Sequence, residues 1–93
     1  MESPHYNDLV TLLTKAHQLH QNVICIESGE TGVRHAIGTI DAIFNSDKNF
    51  FIKVENHQFL IEKEDYITLD ERKGKQVAIL SCLDSNWTLS IIF

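Results

Sequence analysis

The apolar residues in the first part of the chain recur at the spacing of a helix. From Leu9 onward they stand at positions 9, 10, 12, 13, 16, 19 and 23, in steps dominated by three and four residues, as on one helical face. Ser3 with Pro4, or Asn7 with Asp8, can begin this helix, because Ser and Asn cap free amides and Pro suits the first helical position. The pattern predicts one helix over about residues 7–21.

The remainder of the chain has the shorter period of strands, interrupted by turns rich in Gly, Asn and Asp. Asn56 and His57 are a candidate two-residue hairpin turn, and the register after Lys63 is ambiguous, so that residues 66–69 either continue the preceding strand or form a new one. Strands are predicted over 23–27, 33–44, 50–55, 59–62 and 66–69.

The long second strand changes its apolar parity. Val33 and Ile37 stand at odd positions before Gly38, whereas Ile40 and Phe44 stand at even positions after it. We expect Val33 and Ile37 to face inward and the inward face to switch at Gly38, through a bulge or a sharp bend.

The end of the chain predicts a hairpin over residues 76–93. Trp87, Leu89, Ile91 and Phe93 alternate regularly with polar residues or Ile92. As a terminal amphipathic strand, residues 87–93 are expected to offer an edge that pairs with another copy or a partner.

Ninety-three residues allow one domain over 1–93. One helix followed by five or six short antiparallel strands predicts a mostly β protein, a small and partly open antiparallel barrel that the N-terminal helix caps. Its barrel strands are expected over about 23–70, and the C-terminal β-hairpin adds to them.

The charge narrows the classes of partner. The chain carries 13 acidic and 8 basic residues, which disfavours binding to a phosphate backbone and favours a basic protein surface as partner. A solvated sheet edge that charge keeps soluble is the alternative explanation of the acids. Six of the acids fall in one stretch: Glu55, Glu62, Glu64, Asp65, Asp70 and Glu71.

Candidate chemistry is sparse. His17 and His20 stand three apart on the predicted helix, but no Cys or carboxylate stands at a companion spacing, so neither a metal nor another cofactor is expected. Cys25, His35 and Asp41 supply the residue types of a nucleophilic site, yet Cys25 lies in the middle of an apolar strand. We therefore expect no enzymatic activity.

The location of the protein follows from what the sequence lacks. No apolar run approaches the roughly 20 residues of a membrane span, and no basic segment with an apolar run after it begins the chain. Cys25 and Cys82 lie in apolar runs, where a thiol usually packs as a small hydrophobe, and a disulfide would require neighbouring strands. A cytoplasmic protein is the expectation.

The order of elements resembles the Sm-like, SH3-like fold of Hfq and its relatives. Residues 9–19 stand at the family's helix, residues 23–29 are similar to its first strand and glycine turn, and Gly38 and Asp41 are similar to its second strand. Residues 60–69 stand where Hfq-like proteins carry a lysine-histidine pair that reads uridine. Here Glu64 follows Lys63, so RNA binding is disfavoured.

The acidity agrees better with the Rof proteins, a second Sm-like family. Residues 6–9, Tyr-Asn-Asp-Leu, resemble that family's helix start, residues 16–20, Ala-His-Gln-Leu-His, resemble its next segment, and Asp41 matches in the second strand. This resemblance implies a non-enzymatic inhibitor of transcription termination that binds Rho.

The expected partner is therefore a basic protein surface, with Rho as the concrete example. An Hfq-like RNA-binding ring and an acidic immunity or anti-defence protein that masks a basic nuclease remain alternatives, and the oligomeric state stays open. The residues expected to bind the partner are Asn7, Asp8, Asp41, Glu62, Glu64 and Asp65.

Overall fold

The computed structural model describes residues 4–47, 49–82 and 85–93. Its strands form one antiparallel sheet in the order β4-β3-β2-β1-β7-β6-β5. The sheet stays open between its end strands β4 and β5, and it curls around one core with the helix. The elements are α1 (Tyr6–Gln18), β1 (Asn22–Gly29), β2 (Gly32–Asn45), β3 (Asn49–Val54), β4 (His57–Glu62), β5 (Tyr66–Arg72), β6 (Lys75–Ser81) and β7 (Thr88–Ile92).

This architecture confirms the predicted fold class, a mostly β protein with one N-terminal helix and a small, partly open barrel. The helix closes the core with its apolar stripe, since Leu9 and Leu13 are fully buried. Phe50 and Phe59, which alternation places inward on β3 and β4, are the largest fully buried side chains. Burial of such apolar surface is the main force that holds the helix to the sheet.

The helix ends at Gln18, earlier than the predicted residue 21. His20 adopts a left-handed backbone conformation with φ 53°. The N–H of Gln21 donates to the carbonyl of Ala16 at 2.9 Å, and the N–H of His20 donates to that of His17 at 3.2 Å. These two bonds form a Schellman motif, which ends a helix even where the apolar spacing continues.

The long second strand was predicted correctly, but its inward face was not. Val33 is 69% exposed and Ile37 is 60% exposed, whereas Ala36 and Ile40 are buried. The even positions therefore face inward on both sides of Gly38, as far as Ile40. The inward parity instead changes at Asp41, so that Phe44, which was expected to face inward, is 53% exposed.

Asp41 is the extra residue of a β-bulge. Ile40 pairs with Val54, and Ala42 pairs with the very next residue of β3, Lys53, so Asp41 has no opposite residue. β2 pairs with β1 as far as Thr39 and with β3 from Ile40 onward, and the bulge lies at this change of partner.

The C-terminal hairpin is confirmed, because β6 and β7 pair along their length. β7 also pairs with β1, so it is an internal strand of the sheet. The expectation that residues 87–93 form a free edge is therefore wrong. Residues 66–72 form a separate strand, and the hairpin between β3 and β4 turns at Glu55 and Asn56, both with positive φ, one residue before the predicted position.

Candidate protein-binding surface

A contact between Tyr6 and Lys63 joins the start of α1 to the turn between β4 and β5. The ammonium nitrogen of Lys63 lies 6.0 Å from the centre of the Tyr6 ring, within the range of a cation–π interaction. Tyr6 is buried at the helix start, so Asn7 and Asp8 follow it directly. Glu62 and Glu64 flank Lys63 on the other side of the contact.

Four of the predicted binding residues therefore belong to one region. Each is exposed, and together they supply three carboxylates and one amide on the two segments that the contact between Tyr6 and Lys63 joins. We call this region the acidic surface, and its residues are Asn7, Asp8, Glu62 and Glu64.

The acidic surface has room for a partner. An open groove of about 460 Å³ is lined by Asn49, Glu62, Lys63 and Glu64. The Oδ2 atom of Asp8 lies 3.7 Å from the Nδ1 atom of His5. Exposed carboxylates of this kind attract a basic partner at low desolvation cost, and they act mainly on association rate and specificity.

Asp65 was predicted to bind the partner, but its carboxylate is engaged inside the turn. The residue is only 6% exposed, and its Oδ2 atom accepts a hydrogen bond from the N–H of Glu62 at 2.9 Å. Its own N–H donates to the Glu62 carbonyl at 3.1 Å. Burial raises the pKa of the Asp65 carboxyl above its ordinary value, although the bond from Glu62 opposes this change. Asp65 thus holds the turn that displays Glu62 and Glu64.

Asp41 lies apart from the acidic surface. It is exposed at the bulge of β2, directly after Ile40, whose carbonyl accepts a hydrogen bond from His17 Nδ1 at 2.9 Å. His17 stands nine residues beyond Asp8 on the helix, which is about 13 Å along its axis. The structure therefore places Asp41 beside the C-terminal half of the helix.

A second groove contains a group that the sequence did not reveal. Glu27 accepts a hydrogen bond from the indole N–H of Trp87 at 2.9 Å and another from Nε of Arg34 at 2.8 Å. The Arg34 guanidinium also lies 4.9 Å from the centre of the Phe59 ring. Glu27 and Trp87 line this groove of about 270 Å³ together with Glu62. Because Arg34 pairs with Glu27, this carboxylate adds little net charge to the neighbouring acidic surface.

The residues considered for chemistry do not form a site. Cys25 is fully buried and burial raises its pKa to about 12, so its thiol stays protonated at neutral pH. His35 pairs opposite Ile26, on the outward side of the same two strands, and it cannot reach Cys25. Both cysteines are free. Across residues 4–47, 49–82 and 85–93, no three His, Cys, Asp or Glu side chains cluster as metal ligands do.

Comparisons of the chain with protein-family models, with curated proteins and with solved structures gave no match. Within the part of the chain that the structure describes, no helix has the length and apolar character needed to cross a membrane.

Proposed function

We propose that this protein is a regulatory protein that covers the basic, nucleic-acid-binding surface of a partner, and specifically a Rof-like inhibitor that binds Rho. The observation that carries the proposal is the contact between Tyr6 and Lys63. It brings the residues of the helix start, Asn7 and Asp8, to the same region as Glu62 and Glu64, although more than fifty residues separate the two segments in the chain.

The charges of this region suit competition with a nucleic acid. Among the residues that the structure describes, Asp8, Glu62 and Glu64 present three carboxylates on the two segments that meet at Lys63. Lysine and arginine side chains that neutralise phosphates would find similar negative groups here, on a chain whose net charge is −5. Complementary charge of this kind accelerates association and rejects acidic competitors.

The turn between β4 and β5 is well suited to hold two of these groups in place. Asp65 bridges back to the backbone of Glu62 in both directions, so the turn is closed by two hydrogen bonds. A surface that is ordered before binding loses less conformational entropy on association. This function requires binding alone, with no covalent chemistry and no cofactor.

The test is binding to purified Rho, together with a termination assay. We expect the wild-type protein to bind Rho and reduce termination. The double charge reversal Glu62→Lys with Glu64→Lys should weaken binding by about tenfold or more, a change of about 1.4 kcal/mol or more in binding free energy. Glu71→Lys is the control for the single reversals Glu62→Lys and Glu64→Lys, which change the net charge by the same amount. Glu71 is equally acidic and exposed but stands at the far end of β5.

The outcomes separate this proposal from its alternatives. Absence of binding and inhibition by the wild-type protein at low salt would contradict the Rof-like function. Binding of oligo-uridine in place of Rho would indicate an Hfq-like RNA-binding protein, and capture of a basic nuclease would indicate an immunity protein. Equal loss in Glu71→Lys would show that net charge acts without the acidic surface.

A further inference from the structure

The outward face of five neighbouring strands carries its charged residues at one corner, beside the turn between β5 and β6. In three rows that cross all five strands, one residue of each of β2, β1, β7, β6 and β5 points away from the core, as the pairing registers and the alternation of burial require. We call these fifteen positions the neutral face. In rows across the strands they are Ile37, Ile24, Ile92, Val77 and Asp70; His35, Ile26, Ser90, Ile79 and Thr68; and Val33, Ser28, Thr88, Ser81 and Tyr66.

The charge content of this face departs from that of the chain. Asp, Glu, Lys and Arg make up 23% of the residues, yet among these fifteen positions Asp70 alone carries such a charge, on the end strand β5. Arg72, which pairs with Asp70 at 3.1 Å, and Lys75 lie in the next row on the same side of β5 and β6. A solvated sheet face usually holds charged residues that keep it soluble and monomeric. Charge is nearly absent from the neutral face, although the protein has a net charge of −5. This difference separates the neutral face from the rest of the surface.

The apolar residues of the face are contiguous, and their exposure ranges from 69% at Val33 to 9% at Val77, which is buried. Ile24 stands directly opposite Ile37 on one side and Ile92 on the other, so one row of branched side chains crosses three strands. Ile37 is 60% exposed and Ile26 is 39% exposed. The helix leaves this face uncovered because its apolar stripe packs in the core on the opposite side of the sheet.

We propose that the neutral face binds a second copy of this chain, sheet face against sheet face. A two-fold dimer requires a surface that is complementary to itself. Two acidic surfaces repel each other, whereas two neutral faces bring together Ile and Val side chains with Ser and Thr and place no like charges in the centre. Neither proposal depends on the other.

The size of the face sets the strength of the dimer. Five strands at about 4.8 Å spacing and five residues at about 3.3 Å rise cover roughly 24 by 17 Å, or about 400 Å² of flat area per copy. Stable interfaces bury about 800 Å² of accessible surface per partner, and smaller ones are weak or transient. The dimer is therefore expected at high protein concentration and absent at low concentration.

Sedimentation velocity of the full chain tests this dimer from about 10 µM to about 1 mM. We expect the wild-type sedimentation coefficient to rise with concentration, and Ile37→Lys to sediment as a monomer throughout. Phe44→Lys is the matched control, because Phe44 lies on the same strand, is 53% exposed and pairs with β3 outside the neutral face. Circular dichroism checks folding, and Ile26→Lys replaces Ile37→Lys if that variant does not fold.

Two results would overturn the dimer. The first is a wild-type protein that stays monomeric over the whole range; if its Ile37→Lys variant also binds Rho less well, the face docks that partner and not a second copy. The second is equal weakening of self-association by Phe44→Lys and Ile37→Lys.

Discussion

Neighbouring acidic residues of the same turn have different roles. Glu62 and Glu64 are exposed, whereas Asp65 is buried and hydrogen-bonded to the backbone of Glu62. The two exposed carboxylates are available to a partner at little cost. The buried carboxylate of Asp65 stabilises the turn by accepting a hydrogen bond. Desolvation disfavours its charged form and therefore raises its pKa.

We predict that Asp65→Asn becomes more stable relative to the wild type as pH rises. The folded-state pKa of Asp65 lies above its ordinary value of 3.8, so the folded protein binds more protons than the unfolded chain between these two values. Wild-type stability therefore falls as pH rises through that window. Asparagine keeps an acceptor for the Glu62 N–H and does not titrate.

Urea unfolding from about pH 3 to about pH 7 measures this difference. The free energy of unfolding of Asp65→Asn minus that of the wild type should grow through the window above 3.8 and then stay constant. Asp65→Ala removes the acceptor and should cost about 1–3 kcal/mol. A difference that shrinks with rising pH would contradict the role given to burial.

At the scale of the element, β2 is the strand that shapes the barrel. It pairs with β1 up to Thr39 and with β3 from Ile40, so one strand belongs to two parts of the sheet. Gly38 precedes the changeover with φ +155°, a conformation that side chains rarely adopt. The Glu55 carboxylate accepts a hydrogen bond from the N–H of Ile37 and so links this part of β2 to the next hairpin.

We predict that Gly38→Ala destabilises the protein by about 1–3 kcal/mol. The added methyl group has ordinary space, 3.7 Å from Cγ of Glu55, so the cost comes from the backbone. Gly29→Ala is the matched control, because its methyl group also meets only an ordinary contact, 3.9 Å from Cδ1 of Trp87, and its φ is not positive. Urea unfolding should show the smaller loss for Gly29→Ala, and equal losses would exclude backbone strain as the cause.

At the scale of the whole molecule, charge is distributed unevenly. The acidic surface gathers carboxylates at the helix start and the turn between β4 and β5, while the neutral face carries one carboxylate, Asp70, on its end strand. The two surfaces should therefore respond differently to ionic strength, because salt screens interactions between exposed charges and leaves apolar contacts.

We predict opposite effects of NaCl on the two associations. Binding to Rho should weaken as NaCl rises from about 50 mM to about 500 mM, because salt screens the attraction between the acidic surface and a basic partner. Self-association should strengthen, because the same salt screens the repulsion between two chains of charge −5. Parallel binding and sedimentation series measure both. A dimer that dissociates at high salt would point to ion pairs and away from the neutral face.

Local periodicity accounts for most of the predicted elements. The helix, the strands and the terminal hairpin were recognisable because alternation and three-to-four spacing arise from the geometry of each segment alone. Errors fell where another interaction opposed the pattern. The Schellman motif ended the helix at Gln18, and the bulge at Asp41 moved the change of parity away from Gly38.

The sequence by itself determined the class of fold, the acidity of the chain and the stretch that holds six of its acids. Only the tertiary structure decided that β7 lies between β1 and β6, that Tyr6 meets Lys63 and that Asp65 is buried. The physical reason is distance along the chain. Residue spacing encodes which side of its own element a residue occupies, whereas partners from remote segments, such as Glu27 and Trp87, meet only when the sheet closes around its core.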